Sequence, residues 1–223
     1  MVRIINVYGG QLLTALGRTL ILALLGLFFA CIIGLIFGIM GVVKNRACNI
    51  IAQIFIDLIR GVPMIVLAFF VFFGMPYFFN TIIGGMKVNL TALQAGTICL
   101  ALNCGAYMAE IIRAGIESVD GGQMEAARSL GLTYGMAMRK VVLPQAVRTM
   151  IPTFINQFII TLKDTSILSV IGFPELVNTA KNVQASTFMS FQTWAIVGVM
   201  YLAVITVLSR CAKRVERRLN VGR

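Results

Sequence analysis

Residues 20–43 run for 24 positions without a charge. A helix needs about 20 apolar residues to cross the hydrocarbon core of a bilayer, so this run alone places the chain in a membrane. It is too long for the apolar core of a signal peptide, and no small-residue cleavage site follows it. The remainder agrees. Of 223 residues, 59% are hydrophobic and 12% charged, and the mean hydropathy is +0.91; a soluble domain carries about 25% charged residues. Four further runs suit a crossing. Residues 64–79 form one that can begin near Ile50 and take in Asp57 and Arg60, and residues 88–109 are uncharged and contain Asn103. Residues 149–162 must extend through Arg148 or Lys163 and hold Pro152, Asn156 and Gln157, so they belong inside a bundle rather than against lipid. Residues 188–209 form the fifth. The reading is all-α: a single-domain polytopic bundle of five transmembrane helices, at roughly 18–43, 52–79, 88–113, 146–165 and 188–210. Residues 167–173 are too short to cross and read as interfacial or re-entrant.

Five crossings put the termini on opposite sides. The net charge of +11 would suggest nucleic acid in a soluble protein, but here the basic residues flank apolar runs and report orientation instead. With the C-terminus in the cytoplasm, 14 of the 19 basic residues lie inside, among them Lys44, Arg46, Arg60, Arg113, Arg128, Arg139, Lys140 and Arg148. Arg3, Arg18, Lys87, Lys163 and Lys181 stay outside. The positive-inside rule selects this arrangement, with the N-terminus outside. The basic tail, including Arg217, Arg218 and Arg223, serves as a topology anchor or a contact for anionic lipid. Histidine is absent, which removes the commonest general base and metal ligand. Five scattered cysteines read as small buried hydrophobes.

One connection is too long and too patterned for a plain turn. Residues 117–145 carry both signs of charge between two crossings. Asp120 with Gln123 resembles a capping pair, and a helix from there would stop at Gly131. Met124, Ala127 and Leu130 recur along one edge. Thr133 is a second cap, for a helix expected to stop at Pro144. Small residues at Ala126 and Ala127 with Glu125 beside them suit close approach by a partner, and a structural connection remains the other reading.

Glu125-Ala126-Ala127, then Gly131, then Leu143-Pro144 resemble the cytoplasmic EAA signature of permease subunits of ATP-binding-cassette importers. The resemblance covers residues 10–215. Phe55-Ile56-Asp57-Leu58-Ile59-Arg60-Gly61-Val62-Pro63, the run from Ala106 through Ile116, and Lys163-Asp164-Thr165-Ser166-Ile167 are similar to the wording of polar amino acid permeases. Asn103-Cys104-Gly105 departs from the small or aromatic residues of many relatives. The resemblance implies a type I importer fold in the bacterial inner membrane. It also implies a second permease subunit, identical or a sister chain, two separate ATPase subunits and an extracytoplasmic solute-binding protein. The coupling role falls on Glu125, Ala126, Ala127 and Gly131, and on Leu143 and Pro144.

The chain has no G-x-x-x-x-G-K-[ST] string, so ATP and Mg2+ are expected in the partner ATPase, with no cofactor, metal or catalytic residue on this chain. The loop would then act as a lever that rocks the membrane half between two states. Asn103, Tyr107 and Glu110 share one face of the third crossing; Asn156, Ile160 and Lys163 share one on the fourth, with Gln157 adjacent. Polar groups at membrane depth face a cavity or a partner. They read as a solute path between subunits, or as hydrogen-bond glue between helices. Glu110 can pair with Arg113, Asp57 with Arg60, and Lys163-Asp164 can gate the outer mouth or cap locally. Gly34-x-x-x-Gly38 permits close helix packing. An ion-coupled secondary carrier or channel would show two repeated halves, and none is evident; a non-transporting scaffold would not need polar faces at this depth.

Overall fold

The computed structural model describes residues 1–84 and 87–220, with side chains described through Arg214. The side chains of Arg217 and Arg218, and all of Arg223, lie outside the described residues. The described residues form an all-helical bundle. Five helices are long and apolar enough to cross a membrane. They are α1 (Val2–Met40), α3 (Met64–Ile83), α4 (Ala92–Glu117), α6 (Tyr134–Ile171) and α8 (Ser190–Asn220, apolar through Arg214). Three shorter helices complete the fold: α2 (Arg46–Gly61), α5 (Gly121–Ser129) and α7 (Leu176–Thr187).

At 1.5 Å per residue the 39 residues of α1 extend about 58 Å, nearly twice the hydrocarbon thickness. The two halves have different partners. Ile4, Leu12 and Ala15 pack with Leu176, Ala180 and Val183 of α7 and Val197 of α8. The second half lies against α4 along Gly26, Ala30, Gly34 and Gly38, all buried and spaced by four. Lipid tails are as apolar as leucine, so burial drives little here and close van der Waals packing between small residues takes over. The fit is tight. A Cβ added at Gly34 would lie 2.5 Å from the Met108 Cβ, and one at Gly38 would lie 2.7 Å from the Ile112 Cβ. A central core of Leu22, Leu67, Val71, Cys99, Leu100 and Leu168 ties α1, α3, α4 and α6 together. Of the cysteines, Cys99 and Cys104 are buried, Cys48 is half-buried, and Cys31 and Cys211 face outward.

The second crossing is divided. Asn45 caps α2 by accepting from the Ala47 and Cys48 amides. The helix ends at Val62, extended at φ −101° and ψ 131°. Pro63 excludes the residue before it from the helical region, so the run expected over 52–79 becomes an amphipathic α2 and a crossing that starts at Met64. Within α3 the turns widen at Phe70–Gly74 and Phe78–Ile83, either side of Pro76, whose missing N–H cannot hold a regular turn. Thr91 and Gln94 form a reciprocal capping box at the start of α4.

The fourth crossing is longer than its uncharged core. It begins at Tyr134, where Thr133 Oγ1 accepts from the Met136 amide, and does not stop at Pro144. A widened turn over Met138–Val142 precedes the proline, which takes an N-terminal position of the following α segment. There the absent N–H costs nothing. The helix tightens over Thr165–Ile171 and ends at Gly172 with φ +76°. Residues 165–187 are therefore the last turns of α6 and a separate capped helix, α7, packed on the first half of α1.

Candidate functional sites

Between α4 and α6 the bundle is joined by α5. Asp120 caps it, its carboxylate accepting from the Gly122 amide at 2.6 Å. Gln123 does not close the cap reciprocally and reaches Gln145 of α6 at 3.4 Å instead. Gly131 takes φ +84°, the left-handed conformation that ends the helix and turns the chain toward Thr133. Ala127 is buried, while Glu125 and Ala126 stand on the exposed face. Leu143 is half-buried and Pro144 exposed, both within α6. Leu130 is the residue that sequence periodicity misplaced. It follows the last helical residue and is 85% exposed, so it leaves the edge shared by Met124 and Ala127. Its place directly before Gly131, the residue read as the helix stop, was the available signal.

A second site lies where α2 ends, between α4 and α6. A cavity of about 540 Å³ is lined by Arg60, Pro63 and Met64, by Asn103 and Tyr107, and by Gln157, Ile160 and Asp164. Asn103 and Gln157 are only 8% and 7% exposed, so their amides are aimed inward. The Asn103 side chain donates to the Met64 sulfur at 3.8 Å. The Arg60 guanidinium stands over the Tyr107 ring, 5.0 Å from its centre. It also lies 3.9 Å from Glu110. Arg113 holds both Glu110 oxygens, at 2.6 and 3.1 Å, and reaches Glu117 at 2.7 Å. Arg60 therefore faces Glu110 across helices rather than Asp57, one turn back on its own helix and exposed. The last turn of α2 points its guanidinium at α4, and a partly exposed pair there adds at most about 1 kcal/mol.

The structure gathers Asn103, Tyr107, Gln157 and Asp164 around one cavity, with Glu110 joined through Arg60. It leaves Asn156 and Lys163 exposed on the flank of α6. The lining face of α6 is Gln157, Ile160, Asp164 and Ile167, one position on from the Asn156–Ile160–Lys163 face. Both sets obey helical spacing, and only packing separates them. Arg60 was missed as a lining residue because the nearest opposite charge in the sequence is Asp57; the break at Pro63, which frees the end of α2, was the signal.

This arrangement matches proteins already known. Residues 26–221 match the family described as the binding-protein-dependent transport system inner membrane component. The chain is 36% identical to the glutamine transport system permease protein GlnP of Escherichia coli over 203 residues, covering 91% of this chain and 90% of that one. It is 34% identical to the probable glutamine ABC transporter permease protein GlnM of Bacillus subtilis, with the same coverage of both chains. A crystal structure of an amino acid ABC transporter with histidines superposes with a TM-score of 0.86 at 37% identity, over 95% of each chain. An inward-facing MetNI methionine ABC transporter shares the fold, with a TM-score of 0.76 at 19% identity. With its five membrane-crossing helices and a family match over residues 26–221, the chain belongs to the binding-protein-dependent transport system inner membrane components.

Proposed function

We propose that this chain is the amino-acid-conducting subunit of an ATP-driven importer, with the cavity between α2, α4 and α6 as part of the solute path. The observation that carries the reading is the cavity's chemistry. It offers a cation at Arg60, a carboxylate at Asp164, and inward amides at Asn103 and Gln157. An amino acid is a zwitterion with both charges on one carbon, and a polar side chain adds hydrogen-bonding groups. A site with both signs and neutral amides meets all of these without burying an unpaired charge. Relatives named for glutamine transport support this substrate class. The ion-coupled carrier reading is not favoured beside this family match.

The transport cycle follows from the parts. A solute-binding protein delivers the amino acid at the outer face, where the N-terminus and α7 lie. A second permease subunit, a copy or a sister, completes the pathway. ATP with Mg2+ binds in two ATPase subunits at the opposite face. Their closure moves α5, which presents Glu125 and Ala126 outward and is tied to α6 through Gly131 and the Gln123–Gln145 contact. Because α6 runs unbroken from Tyr134 to Ile171 past Gln157 and Asp164, a shift at its first turn reaches the cavity wall directly. The charge distribution supports this orientation, with most basic residues on the α5 side. The test is uptake of labelled amino acids into vesicles holding the assembled transporter. Replacing Arg60 and Asp164 together by alanine should cut uptake at least tenfold while ATP hydrolysis persists. Unchanged uptake would remove the cavity from the path.

A further inference from the structure

On a different face of α4, through Met108, Ile112 and Ile116, the wall opens into a second concavity. There α1 and α6 diverge and leave a groove of about 1050 Å³, just above the usual range for ligand sites. Its lining is apolar almost throughout, with Ile39, Val43, Val147, Ile151, Phe154 and Phe158 along its sides. One lining residue is charged. Lys44 stands just past the end of α1, exposed, with its ammonium 5.2 Å from the centre of the Tyr134 ring. Tyr134 is the first residue of α6, so the cation sits at the mouth of the groove, at the α5 end of the bundle. Among the described residues, no carboxylate lies within ion-pair distance of Lys44. Exposed Arg46, two residues on, adds positive potential at this end.

We propose that the groove holds the acyl chains of an anionic phospholipid whose phosphate lies on Lys44. Hydrocarbon fills an irregular apolar groove and leaves no polar group unsatisfied. Phosphate supplies the anion that the lysine lacks among the described residues. The aromatic ring beneath the ammonium holds the cation at the mouth before lipid arrives. A neutral phospholipid would fill the same hydrocarbon wall and gain nothing from the net charge, so the site discriminates by headgroup.

Native mass spectrometry of the full-length chain reads the bound lipid, after release from vesicles of equal parts phosphatidylglycerol and phosphatidylcholine. The chain should retain phosphatidylglycerol preferentially. Lys44→Gln should lower that retention roughly fivefold, the effect of one basic residue at an anionic surface. Lys44→Arg and Lys140→Gln should keep it, and Val147→Trp, which fills the groove, should lower retention of both lipids. Equal phosphatidylglycerol retention by the parent chain and Lys44→Gln overturns the proposal. So does an equal loss in Lys140→Gln, which would make the effect general surface charge. A disulfide between two copies at Ile151→Cys would assign the groove to a second subunit and overturn it as well.

Discussion

Single residues carry the fit of this bundle in a way that depends on lipid being no worse a solvent than a helix surface. Gly34 and Gly38 let α1 approach α4 until a Cβ has no room. Gly34→Val should therefore overpack the contact and cost about 1–3 kcal/mol, read as an earlier thermal unfolding in detergent. Gly17→Ala is the control, since nothing lies within 4 Å of the added carbon; alanine suits a helix interior better than glycine, so its unfolding should come no earlier than the parent's. Glu175, between the crossings, is fully buried at the start of α7. Its carboxylate accepts from the Val177 and Asn178 amides and from the Tyr201 hydroxyl. Burial pushes it above the ordinary glutamate value, and these donors and Lys181 pull partly back. A raised folded value favours the protonated folded form, so this group's stabilisation is present at low pH and is lost as pH rises through that value. Comparing unfolding of the parent chain with Glu175→Gln across pH should show the difference moving in the parent's favour as pH falls toward the ordinary glutamate value. A constant difference would mean that Glu175 has the same affinity for protons folded and unfolded.

Elements were legible where their signals are local. Asp120, Gly131 and Thr133 announce the ends of α5 and the start of α6, and each does so through its own side chain or backbone freedom. Proline was ambiguous. Pro63 breaks a helix and Pro144 does not, and the difference lies in the widened turn before Pro144, which no residue type in Met138–Val142 advertises. The cavity face of α6 was ambiguous for another reason. Gln157–Ile160–Asp164 and Asn156–Ile160–Lys163 have equally good helical spacing, and the choice was made by α3 and α4 packing against the first set. The length of α1 was hidden because its first half makes its buried contacts, through Ile4, Leu12 and Ala15, with α7 and α8, elements distant in sequence. If the widened turn serves to admit the proline, Pro144→Ala should fold, bind its ATPase and transport within twofold of the parent. If the proline itself sets the geometry of the α5–α6 joint, coupling should fall instead; vesicle uptake per ATP hydrolysed separates the two.

As a whole the molecule joins two ends of one problem. At one end a short capped helix presents Glu125 and Ala126 on its exposed face; farther along the bundle a cavity is lined by Arg60 and Asp164, charges of both signs. A single helix, α6, touches both. On the proposed function, α6 converts movement at α5 into a change at the cavity wall, with hydrolysis performed by the partner ATPase. The most direct measurement is amino-acid uptake and ATP hydrolysis in vesicles holding the assembled transporter and its binding protein, with Glu125→Arg and Gly131→Val combined in α5. Gly131 requires the left-handed conformation that valine avoids, and the reversed charge stands on the exposed face of α5. The account predicts that uptake falls at least tenfold and that loaded binding protein no longer stimulates hydrolysis, while the chain remains folded in the membrane. Uptake and stimulation equal to the parent's would contradict it.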